Sequence, residues 1–467
     1  MKMKKITAII ISIVILTLCM PQNISAEPAE PENITVFGSL NTGLSINNEH
    51  IIANAVSEYN GGVRLAMIDL NWEGYEIDDN IWNENYADWI RNRYNQLKNA
   101  GFAITLGLGT YNTPRWLLDK PGSRFVNQNG AESGSANFIF STDMRTYFVR
   151  YLNKIKDLFG GDFSDIYAIR ITSGGECELL YPSGGYWGYD IAAQTGNGLA
   201  ADMEKCPELG WKPGVGTVVQ AERWTEWYVK SLADFVEWQR AQLDGLGFKG
   251  WYQILTPGMG VRPYYYEEYI NSRLVPFKEV LGVGAVWFKL YGYLPKDRTV
   301  VYISSVADNS GNNDVTLPSD DNVSLMDIQC TGWSATRYLV RIAHEFGMKV
   351  GGENVGYNAP PSFNDFYRDL SGNGMLSVAM KQVTAGKFQC FYWAHSDRMW
   401  DGTMPFSNYQ TKISAFGAVQ NPIMPQTAEL IALKNFILGK SASGGQDVNG
   451  DGAVDVFDIA ILFRNSS

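Results

Sequence analysis

The sequence predicts a (β/α)8 TIM barrel followed by a small α-helical, EF-hand-like module, and three observations carry that expectation. Short apolar or β-branched runs alternate with amphipathic stretches from the amino end to about residue 420, as parallel strands joined by crossover helices require. Eight such runs can be placed, the number that closes a barrel. Near the carboxyl end, a twelve-residue acidic loop has the spacing of calcium ligands.

The amino end reads as an export signal. Three lysines lie within Met1 to Lys5, an apolar run extends from Ile6 to Met20, and small residues lead to Ala26. The run is shorter than the roughly 20 residues of a spanning helix, and Pro21 closes it. Residues 1–26 are therefore expected to be removed, 27–420 to form the barrel and 421–467 the terminal module, in a secreted, extracellular protein.

The eight strands are read as Ile34–Gly38, Val63–Leu70, Ala103–Gly107, Ile166–Ile171, Trp251–Leu255, Thr299–Ser304, Lys349–Gly352 and Phe388–Trp393. Val283–Leu290 competes with Thr299–Ser304 for the sixth place, because a short apolar run does not reveal its own period. Between the strands, Ala87–Ala100, Met144–Leu158, Ala221–Leu243 and Ala335–Phe346 repeat apolar residues every three or four positions, the pattern of half-buried helices. Pro182 to Trp211 is rich in Gly, Tyr and Trp without a period, and is expected to be a loop over the barrel mouth.

Net charge is −11 and becomes more negative once the signal lysines are lost, which argues against nucleic acid as a partner. No later stretch predicts a membrane span. After the signal, Cys177, Cys206, Cys330 and Cys390 remain, enough for one or two bridges but not for a disulfide scaffold. Aromatic residues are abundant, with 14 Trp, 25 Tyr and 22 Phe. Flat rings serve both cores and sugar faces, and composition alone does not separate the two uses.

In such barrels the chemistry sits after the carboxyl ends of the strands. The fourth strand runs into Gly174-Gly175-Glu176-Cys177-Glu178, and the seventh into Gly351-Gly352-Glu353-Asn354. The glycines allow sharp turns and an open approach. A glutamate on each of two facing strand ends is what glycosidic cleavage needs, one group protonating the leaving oxygen and the other attacking the sugar or activating water. Glu176 and Glu178 share one turn, and spacing alone leaves the choice between them open. The same strand-end filter gives Trp72, Tyr111, Arg115, Trp116, Tyr181, Tyr186, Trp187, Asn354, Tyr357, Trp393 and His395 as candidate substrate contacts, each of which serves equally well as core. His50, His344 and His395 are scattered, no zinc-type spacing occurs, and no phosphate loop follows a strand. No cofactor is expected for catalysis.

These residues carry a resemblance. Ile68 to Trp72, Thr113-Pro-Arg-Trp-Leu-Leu-Asp-Lys-Pro121, Phe125 to Gly130 and Ser141 to Arg145 resemble the amino half of glycoside hydrolase family 42, the β-galactosidases of clan A. That resemblance spans roughly residues 60 to 160. It implies a retaining mechanism on an oligosaccharide or polysaccharide, with the acid/base on the fourth strand and the nucleophile on the seventh. The two glutamate sites together with the carboxyl-terminal tail point to plant-derived glycans as substrate. The fourth strand departs from that clan's Asn-Glu pair. Glu178-Leu-Leu-Tyr-Pro182 together with Gly352-Glu-Asn354 resembles instead the inverting β-amylases of family 14, a register that selects Glu178 over Glu176. Inversion is thus the alternative, and a carbohydrate-binding barrel without activity is the rival from another class.

In the tail, Asp447, Asn449, Asp451, Ala453, Asp455 and Asp458 fall at positions 1, 3, 5, 7, 9 and 12 of a calcium loop, with Gly452 at the turn. The Asp ending and the following Ile459 to Phe463 resemble one repeat of a dockerin, and Ala428 to Gly439 resembles the helix of a second repeat whose calcium loop is not recognisable. The resemblance implies one Ca2+ and a cohesin-type scaffold protein as partner, which would hold the enzyme in a cellulosome-like assembly.

Overall fold

Each of the eight apolar runs forms a parallel strand: β1 (Val36–Ser39), β2 (Leu65–Asp69), β3 (Ala103–Gly107), β4 (Ala168–Ile171), β5 (Trp251–Thr256), β6 (Thr299–Val306), β7 (Lys349–Asn354) and β8 (Cys390–Trp393). They hydrogen-bond in chain order, and β8 returns to β1 to close the barrel. The structure is a computed structural model that describes residues 34–40, 49–174, 177–310, 314–358 and 360–425, with single positions at 448, 454 and 461. The expected signal 1–26, Glu176 and all six calcium-loop ligands lie outside the described residues.

The helices form where the apolar period reaches 3.6 and a polar residue caps the first turn. In α1 (Thr142–Phe159), the Ser141 hydroxyl accepts from the Met144 amide, and Met144, Phe148, Tyr151, Leu152, Ile155 and Phe159 make the buried face. Such a cap stabilises its helix by about 1 kcal/mol. The longest helix, α2 (Val218–Gly245), opens with a Thr217–Gln220 capping box. The competing run Val283–Leu290 is not a strand. It starts just past the short helix Glu279–Gly282 and its second half enters the helix Trp287–Tyr293, and the sixth place belongs to Thr299–Val306. Among the described residues no disulfide forms; Cys206, Cys330 and Cys390 are buried and Cys177 is exposed.

The lumen is filled by side chains rather than left as a pore. Thr105 and Tyr392 share a hydrogen bond of 2.5 Å, the Gln253 amide donates to Tyr392 at 3.4 Å, and Tyr302 packs on Tyr392 at 5.8 Å. This plug forms the floor beneath the strand ends.

A second body of packing surrounds β2 to β4. Trp72 stacks on Tyr151 at 4.3 Å and 5°, faces Phe138, and donates its indole N–H to Glu76 at 2.8 Å. Tyr181 stacks on Tyr228 at 4.0 Å, Tyr228 on Trp224, and Tyr186 meets Trp224 edge-on. The stretch Pro182 to Trp211 is drawn into this aromatic tier and contributes no residue to the cavity wall described below, contrary to its expected place over the mouth.

Candidate active site

Strand register sets the site. Asp69 on β2 lies opposite Gly107 on β3, and Gly107 lies opposite Arg170 on β4. Gly107 has no side chain, and a Cβ there would stand 2.0 Å from Asp69 Oδ1. The gap lets the Asp69 carboxyl lean across β3 towards Arg170. On the far side of the barrel, Glu353 on β7 lies opposite Tyr392 on β8.

Above this rung is a cavity of about 670 Å³ at the carboxyl ends of the strands, with Asp69, Tyr111, Arg170, Glu178, Ser304 and Glu353 in its wall. Glu178 follows β4 and Glu353 lies within β7, so two carboxylates from facing strands open into one space. Arg170 Nη2 donates to Glu353 Oε2 in a close ion pair, and the Tyr302 hydroxyl donates to the same oxygen at 2.7 Å. Among the described residues, Glu353 Oε1 takes no hydrogen bond, so the carboxylate is gripped by one oxygen and free at the other. The Ser304 hydroxyl, from β6, donates to Glu178 Oε1. The Glu178 carbonyl accepts from the Ser173 amide at 3.2 Å and the Leu179 amide donates to the Leu255 carbonyl at 2.9 Å, which ties the turn down on both sides of the carboxylate.

Charge balance in the wall follows from these contacts. Burial opposes the charge of Arg170, but Glu353, then Tyr302 and Asp69, outweigh it and hold the guanidinium above its ordinary range. Burial pushes the Asp69 carboxyl up to about 6, against the pull of Arg170 and a Tyr111 hydroxyl that donates to Oδ2 at 3.3 Å, with Glu353 adding to the rise.

The expected contacts separate into two groups. Tyr111, Asn354 and His395 line the cavity with Glu178 and Glu353. Asn354 does so as a structural brace, since its side chain exchanges hydrogen bonds of 2.7 Å with both backbone groups of Ala394. Trp72, Tyr181, Tyr186, Trp187 and Trp393 are instead buried side chains of the core, because the long strand-end loops need apolar mass of their own to pack. Trp116 donates to the Glu76 carbonyl at 3.1 Å, and Arg115 is exposed and pairs with Asp119 at 3.5 Å. Tyr357 lies under Arg368 and Arg398. None of these eight is in the cavity wall.

Asp69, Arg170, Tyr302 and Ser304 were not among the sequence candidates. A signal existed for two of them: Asp69 and Arg170 are ionic residues inside otherwise apolar strands, where a charge requires a partner.

Neither a protein-family model nor a curated protein sequence matches the chain. Solved structures do. The catalytic domain of a β-amylase from Paenibacillus polymyxa superposes with a TM-score of 0.58 at 14% identity, over 83% of this chain and 98% of that one. A β-galactosidase from the psychrophilic Marinomonas ef1 gives 0.51 at 10% identity, over 87% of this chain and 60% of that one. The chain thus spans about 60% of the galactosidase. At these identities the likeness shows a shared barrel fold.

Proposed function

We propose that the protein is a glycoside hydrolase that cleaves plant-derived glycans with retention, Glu178 being the acid/base and Glu353 the nucleophile. The observation that carries this reading is the shared cavity, walled by a carboxylate from β4 and one from β7. Glu178 protonates the glycosidic oxygen while Glu353 Oε1 attacks the anomeric carbon. The leaving sugar departs as an alcohol and a glycosyl ester remains on Glu353. Glu178, now a carboxylate, takes a proton from water, which attacks the ester and frees Glu353. Arg170 and Tyr302 orient the nucleophile through the oxygen that does not react. A β-galactosidase-like preference follows from the family 42 resemblance.

Inversion is the second reading, favoured by the β-amylase-like sequence around Glu178 and Glu353 and by the fuller overlap with the β-amylase structure. The parent and Glu353→Gln proteins are to be assayed on β-galactosides, other β-glycosides and starch. The variant is expected to lose at least about 10⁴-fold in kcat, and full activity in it overturns the assignment. The anomer first seen by NMR decides between the readings, the retained one supporting a nucleophilic Glu353.

The same proposal includes export, with residues 1–26 as signal, and a terminal module that holds one Ca2+ and docks a cohesin-type scaffold. Calorimetric titration of the full chain with calcium chloride is expected to give one site that Asp451→Ala removes. Absence of heat in the parent defeats the calcium reading.

A further inference from the structure

Of the 14 tryptophans in the sequence, only Trp400 is exposed, at 38%. It belongs to the segment between β8 and the helix Phe406–Ala415, and walls a second hollow of about 570 Å³ on the flank of the barrel, beside the end of the helix Glu49–Asn60. None of the residues that wall the main cavity walls this one.

The ring is fixed before any ligand arrives. Its indole N–H donates at 2.9 Å to Oε1 of Glu58, a buried carboxyl whose Oε2 accepts from the Ser39 hydroxyl at 2.5 Å. Phe406 stacks against the indole at 5.2 Å and 24°. Gly61 leaves room for that phenyl ring, since a Cβ there would meet it at 2.5 Å. A side chain held on two sides gives up little rotamer freedom on binding.

The rest of the wall is uncharged. Asn60 and Gln410 are exposed amides with no hydrogen-bond partner for their side chains among the described residues, and Ser57 and Ser407 add hydroxyls. The charged neighbours Arg398, Asp397 and Asp401 pair with one another and do not line the hollow. An aromatic plate bordered by neutral donors and acceptors fits a ligand with an apolar face and many hydroxyls, and no charged group lines the hollow to pair with an ionic one.

We infer that the hollow around Trp400 is a second, non-catalytic binding site for a neutral glycan chain, which holds the polymer on the flank of the barrel while cleavage takes place at the mouth. The inference rests on the glycan-hydrolase reading for the choice of probe and for the cleavage that the tethering serves.

The test uses the full chain with Glu353→Gln, so that bound polymer is not cut, and measures retardation in native gels containing β-galactan, xylan, mixed-linkage β-glucan or soluble starch. At least one polymer is expected to retard the protein, and adding Trp400→Ala is expected to weaken that binding at least fivefold. In the otherwise unaltered enzyme, Trp400→Ala is expected to leave kcat/KM on a short aryl glycoside unchanged. Asn60→Ala with Gln410→Ala, at the exposed rim and clear of the Glu58 contact, is expected to weaken polymer binding severalfold even if Trp400→Ala does not fold. Equal retardation in the folded variants overturns the site, as does the absence of retardation on all four polymers. Hydrolysis of the aryl glycoside by the parent judges the catalytic reading separately.

Discussion

The wall of the main cavity and the aromatic tier beside it both draw residues from the carboxyl ends of barrel strands, yet their chemistry is opposite. The wall sets Asp69, Arg170, Glu178 and Glu353 among hydroxyls, with Tyr111, Phe363 and His395 as its aromatic rings. The tier holds Trp72, Tyr151, Tyr181, Tyr228 and Trp224 in stacked contact, and the first four turn their polar atoms to internal partners such as Glu76. One region keeps charge close to an open space, and the other closes long loops onto helices. Position at a strand end therefore does not by itself bring a side chain to the cavity, since an aromatic one there closes on its neighbours as readily as it faces the space.

If Arg170→Ala behaves as a packing change, the contrast between wall and tier disappears. Arg170 and Glu353 are 7% and 15% exposed, and removing one partner of such a pair costs about 3–5 kcal/mol, because the other charge is left uncompensated. Activity is expected to fall roughly 10²–10³-fold as well, since Glu353 loses its orienting partner. Denaturant melts and kcat/KM measured together check both losses, and stability lost with activity intact contradicts the role given to Arg170.

Trp72→Ala is expected to show the reverse pattern. The ring is fully buried and stacked on Tyr151 and Phe138, so truncation costs about 3–5 kcal/mol of stability. In the folded fraction, KM is expected to stay within about twofold, as for a side chain that stabilises without touching substrate. A large rise in KM would return Trp72 to the sugar contacts that its place after β2 first suggested.

The barrel itself was legible, because strand and helix periods differ and eight runs were long enough to show them. Val283–Leu290 was ambiguous for a physical reason. An apolar run of that length is buried equally well as strand or helix, and here part of it opens the helix Trp287–Tyr293 against the core. The glutamates were legible because glycines isolate them at strand ends, and both Glu178 and Glu353 reach one cavity. Their partners were not, because Tyr302 and Ser304 sit on a strand whose neighbours are known only once the barrel closes. Of the Trp and Tyr candidates Tyr111 alone reaches the cavity wall, because a ring's sequence position does not say whether its face meets a sugar or another ring.

Glu58 is a buried carboxyl without the arrangement that Glu353 enjoys. Its hydrogen bonds come from Ser39 and Trp400, with no cation among them, and burial pushes it up to about 7, against those two bonds and the more distant charge of Arg93. Between the ordinary value of 4.5 and about 7, the native chain keeps a proton that the unfolded chain has lost. The contribution of Glu58 to stability is therefore fully present below about 4.5 and is lost as pH rises through about 7. At 1.36 kcal/mol per pH unit the loss reaches at most about 3 kcal/mol. Glu58→Gln keeps the shape without the titration, so urea melts at pH 4.5 and pH 8 are expected to show the parent losing more stability than the variant over that interval. Asp69 titrates in the same direction in both proteins and cancels from the difference. Parallel profiles would mean that Glu58 is solvated or paired in the native chain, and the contrast between a compensated carboxylate at the mouth and an uncompensated one on the flank would fail with it.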